Sequence, residues 1–99
     1  MITQPHVRFE QRGPELMAVE IGQGSCSPLI GLVHRALFAL GLDIASYRAR
    51  PEGGGLVERL VLERSGGGCI DGALSAEAKA AILPIALSVY AAEVRAEAV

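Results

Sequence analysis

Polar and apolar residues alternate in HVRFEQ (residues 6–11): Val7 and Phe9 fall on one side, His6, Arg8 and Glu10 on the other. Alternation of this kind predicts a half-buried strand. A turn signal, RGP (12–14), follows. ELMAVEIG then alternates again, with Met17, Val19 and Ile21 on one face and Leu16, Ala18 and Glu20 on the other. From Ser27 to Leu40 the period becomes helical. Ile30, Val33, Leu37 and Leu40 line one side, and Leu29, Leu32 and Ala36 widen it into the stripe of a helix laid on a sheet. Ser27 suits the N-cap, Pro28 the first helical position and Gly41 the C-terminal cap.

LDIASYRAR (42–50) and GLVERLVLER (55–64) read as two strands joined by a hairpin in the glycine-containing PEGGG. Leu56, Leu60 and Leu62 share one face of the second; Val57, Arg59, Val61 and Glu63 share the other. After the SGGG turn and a short extended CIDG, a second helix is predicted, capped by Ser75 with Glu77 in its first turn. Ala78, Ile82, Ile85 and Val89 form one side of it, and Pro84 predicts a kink near Ala80. Leu83, Leu87, Tyr90 and Val94 form a second apolar stripe, and Phe38 stands off the core stripe of the first helix. A stripe of four seeks cover from another surface, which predicts a homodimer interface at those residues.

The order is strand, strand, helix, strand, strand, helix. A four-stranded antiparallel sheet with two helices on one face buries both core stripes, giving an α+β ferredoxin-like sandwich. The 99 residues make one domain, with a core over about residues 6–92 and a tail at 93–99 expected to fray. Hydrophobic residues are 51% and aromatic ones only 4%, so the core must come from Leu, Ile, Val and Ala. The net charge is −2, with a single lysine and arginines scattered along the chain, which predicts no nucleic-acid partner. No apolar run approaches the ~18 residues of a membrane helix, and the N-terminus lacks the charge and apolar pattern of a secretory signal. Two cysteines make neither a disulfide framework nor a metal site. The expectation is a complete, reduced, cytoplasmic protein without cofactor or metal.

MAVEIGQGSCSPLIGLVHRALFALGLDI (17–44) resembles the first half of an ACT domain, most of all those at the C-terminus of the bifunctional uridylyltransferase of nitrogen regulation. RALFALGLDI matches the family's helix end, PHVRFEQ resembles the extra first strand of those domains, and the glycine-rich hairpin, VERLVLER and SGGGCI come in the family's order. The resemblance runs over roughly residues 6–90. It implies a non-enzymatic regulatory module, homodimeric, holding a small effector such as an amino acid at Gln23, Gly24, Ser25, Cys26, Ser27, Pro28, Leu29 and Ile30. The family's Asp-Arg-Pro-Gly motif is replaced here by Ser25, Cys26, Ser27 and Pro28, and its aromatic-rich strand by Arg59, Leu60 and Val61. Pro28 has no N–H and adds a ring where the family's glycine lets a ligand approach. These departures support an alternative: a protein-interaction or assembly module whose ligand site has decayed.

Other chemistries are weaker. Gly22 and Gly24 give a G-x-G beside a helix start, where an anion can bind. The dinucleotide fingerprint fails at Ser27, no Gly-Lys-Ser/Thr follows, and the loop lacks the arginine an acylphosphatase needs. Cys26 beside a helix N-terminus suggests a thiol-dependent enzyme as a third alternative. A base is then required, and the only histidines are His6 and His34, the latter pointing away from the core stripe. No catalytic residue is assigned.

Overall fold

The computed structural model of the chain describes residues 5–24 and 28–98. Strands β1 (His6–Arg12) and β2 (Leu16–Gln23) are followed by helix α1 (Ile30–Phe38), strands β3 (Leu42–Glu52) and β4 (Gly55–Arg64), and helix α2 (Gly72–Ala98). The four strands form one antiparallel sheet in the order β1-β2-β4-β3. This α+β arrangement keeps the expected sequence of elements. Its strand order is not the ferredoxin-like one in its usual form, because the edge beside β2 is taken by β1 and, among the described residues, no strand follows α2. β2 and β3 run parallel with β4 between them, so α1 crosses over a strand to join them.

The alternation sets the core. Met17, Val19 and Ile21 of β2 and Leu60 and Leu62 of β4 are buried with Val33 and Leu37 of α1 and Ala78, Ile82 and Ala86 of α2. Both helices therefore cover the same face. Lys79 Nζ lies 5.7 Å from the centre of the Phe9 ring, extending the cover from α2 to edge strand β1.

Helix boundaries differ from expectation for identifiable reasons. α1 begins at Ile30, with Leu29 as N-cap residue and no local side-chain cap, so Pro28 is an exposed residue ahead of the helix. Leu29 is itself buried in the core, and burial of its side chain fixes the helix start. Ser27 lies outside the described residues. α2 begins three residues before Ser75, because Asp71 is the cap: its Oδ1 accepts from the Leu74 N–H at 2.8 Å. The Ser75 hydroxyl instead faces Met17 Sδ at 3.7 Å. α2 continues through Pro84. Ala80, whose carbonyl Pro84 deprives of its usual donor, is exposed, so water can serve it.

By length and composition, residues 72–92 of α2 reach what a membrane-crossing helix needs, contrary to the expectation from apolar runs, because alanines dilute the charges Glu77 and Lys79. Only 17% of its most apolar stretch is buried within the chain. The hairpin between β3 and β4 is tight, with Gly53 and Gly54 at φ +58° and +83°. Both central residues at positive φ suit a turn whose twist matches the flanking strands.

A candidate site filled by a buried carboxylate

Glu58 is the one buried charged residue among the described residues, with no exposed surface. It belongs to β4, on the core face between Leu56 and Leu60. Antiparallel register places Gln23 opposite Leu56 and Tyr47 opposite Leu60, so both are diagonal neighbours of Glu58 on the same face. The Tyr47 hydroxyl donates to Glu58 Oε2 at 2.8 Å, and Gln23 Nε2 donates to Oε1 at 3.2 Å. The Leu29 N–H, from the start of α1, donates to both oxygens, at 2.9 and 3.1 Å.

Thus β2, β3 and α1 each send a donor to one carboxylate on β4. No cation is among these partners. The oxygens of Glu58 are satisfied instead by these hydrogen bonds, one pair of them at the positive end of the α1 dipole. In the absence of a local cap, Glu58 serves α1 as a cap delivered from across the fold. The effect reaches Tyr47: burial, then the hydrogen bond to Glu58, then the nearby negative charge push its phenol from 10.0 up to about 12. Removing the phenol proton would set a second negative charge against Glu58.

Of the eight residues expected to hold a ligand, five are described. Gln23 turns its amide to Glu58. Gln23 and Gly24 together line a cleft at the sheet end, with His6, Gly22, Glu52 and Gly55. Pro28 is exposed, Leu29 is buried, and Ile30 packs at the core's margin. Ser25, Cys26 and Ser27 lie outside the described residues. Cys69 is an exposed free thiol. His34 packs edge-on against Phe38, ring centres 6.3 Å apart, on the outer side of α1.

Close packing holds the sheet end together. A Cβ on Gly55 would run into the backbone carbonyl of Gln23, and one on Gly22 would run into the His6 ring. The first requires backbone to move and the second only a surface side chain.

Glu58 and Tyr47 were absent from the sequence-derived site. The signal was present: one carboxylate, Glu58, interrupts an alternation of leucines at 56, 60 and 62. The expected interface residues are on the surface: Leu83, Leu87 and Val94 are 41%, 57% and 39% exposed, and Tyr90 is partly so. Phe38 is exposed as expected.

Compared with protein-family models, curated proteins and solved structures, the chain matches no family model, no curated protein and no solved structure.

Proposed function

We propose that this chain is a non-enzymatic, ACT-like regulatory module that acts by assembly: a homodimer presenting a surface to a partner protein, with its strand–helix turn filled from within. The observation that carries the reading is Glu58. An effector amino acid would bring its carboxylate to the start of α1. There the Leu29 N–H already serves both oxygens of Glu58. A second carboxylate would meet the first in a poorly solvated place, where like charges repel strongly.

The ferredoxin-like and ACT-like description belongs to the same proposal. It is supported by the β2–α1–β3 unit with β4 between its strands, and by β1 on the edge a ferredoxin-like sheet gives to its last strand. Homodimerisation is supported by the outward stripe of Leu83, Leu87 and Val94 on a largely uncovered apolar helix.

A thermal-shift screen tests the choice between assembly and effector binding. With the protein amino acids and common nucleotides each added in excess, the melting temperature is expected to stay unchanged. A reproducible rise with any amino acid restores the effector reading.

A further inference from the structure

The arginines scattered in the sequence are gathered by the sheet. On the face that no helix covers, one cross-strand row reads Arg8, Glu20, Arg59, Arg48 over all four strands. The next row is Glu10, Ala18, Val61, Ser46. Together with Arg12 these residues surround a shallow open depression of about 380 Å³, with Ala18, Ser46 and Val61 low on its floor. Four guanidinium groups and two carboxylates line it, in a chain of net charge −2.

The pairing is incomplete. Arg59 reaches Glu20 at 3.5 Å and Arg12 reaches Glu10 at 3.7 Å. Among the described residues, Arg8 and Arg48 have no carboxylate partner. Arg48 moreover stands directly opposite Arg59 on the neighbouring strand. Like charges in that position destabilise a sheet, and Glu20 offsets only the Arg59 side of the pair, leaving Arg48 without a counter-charge among the described residues.

We propose that this open sheet face docks an acidic segment of a partner protein, whose carboxylates complete the pairing of Arg8 and Arg48. The depression is too open to enclose a small molecule, so its occupant is a surface. Nucleic acid fits less well. Phe9 and Tyr47 share the helix-covered face with Val19 and Leu60; among the described residues of the strands His6 is the one aromatic ring on the open face, and it is held beside Glu20 at 3.4 Å at the edge of the row, short of a run of stacking platforms. The inference deepens the assembly reading by giving the partner a chemistry, and it uses a surface separate from the α2 stripe.

The test is an NMR titration of the isotope-labelled full chain with deca-glutamate and, separately, with a thymidine oligonucleotide of equal charge, both at low salt. Deca-glutamate is expected to shift the amide signals of Arg8, Ala18, Ser46, Arg48, Arg59 and Val61, and added salt to weaken the binding. Arg8→Glu with Arg48→Glu should lower the affinity by about tenfold or more, with the spectrum still dispersed. If that double variant fails to fold, Arg48→Gln provides the comparison and should weaken binding in the same direction. No shifts at these residues, or tighter binding of the oligonucleotide to them, overturns the proposal. Sedimentation of the same samples separates the two readings. A monomer that binds deca-glutamate here overturns the homodimer alone, and a dimer that does not bind overturns this docking face alone.

Discussion

Glu58 shows how one residue can join elements that neighbouring sequence does not join. Its carboxylate accepts from Leu29, Tyr47 and Gln23, and every one of these groups is a donor. Glu58→Gln keeps the size but replaces an acceptor with an amide NH2, so at least one donor must lose its partner. The expected cost is about 2–3 kcal/mol. In a domain near 100 residues that lowers the melting temperature by roughly 10 °C or more, measurable by circular dichroism. An unchanged melting temperature would mean that the carboxylate is not the hub described. Tyr47 gives a second, pH-dependent readout. In the unfolded chain its phenol ionises near its ordinary 10.0, whereas the folded chain holds the proton to about 12. The raised value therefore stabilises the fold fully below pH 10, and that stability drains away as pH rises toward 12. Tyr47→Phe should show a shallower loss of stability over this window in urea unfolding. Equal slopes for the two proteins would contradict the coupling.

The strands were legible because each alternates on one buried face: Val7 and Phe9 in β1, Met17, Val19 and Ile21 in β2, Leu60 and Leu62 in β4. The helix starts were less so. Ser27-Pro28 satisfies the local rules for a cap and first turn, but the start of α1 is fixed by Leu29, whose burial and N–H partner come from β4 and the core. At α2 the local signal was simply earlier than expected. Asp71 holds the Leu74 N–H, so Asp71→Ala should cost about 1 kcal/mol. Ser75→Ala should cost clearly less, since that hydroxyl contacts only the Met17 sulfur. Denaturant midpoints of the two variants check this order, and the reverse order would return the cap to Ser75. β4 alone marks Glu58 as a carboxylate among core leucines but not its partners, because the donors that make such burial tolerable come from β2, β3 and the start of α1. The arginine row was equally hidden: residues 8, 48 and 59 become neighbours only through the β1-β2-β4-β3 order.

The whole molecule measures 47 × 22 × 19 Å, and α2, at about 40 Å, spans most of the long axis. The core takes its Ala78, Ile82 and Ala86, with Leu74, Ile85 and Val89 packed at the margin, leaving Leu83, Leu87 and Val94 exposed. In the proposed assembly a second copy of the same helix covers them, and pairing needs no effector. Sedimentation equilibrium of chain refolded from denaturant, which strips any carried-over small molecule, tests this most directly. The account predicts a dimer without additive and a monomer for Leu87→Asp. A refolded wild-type chain that is monomeric, and pairs only when an amino acid is added, would contradict it.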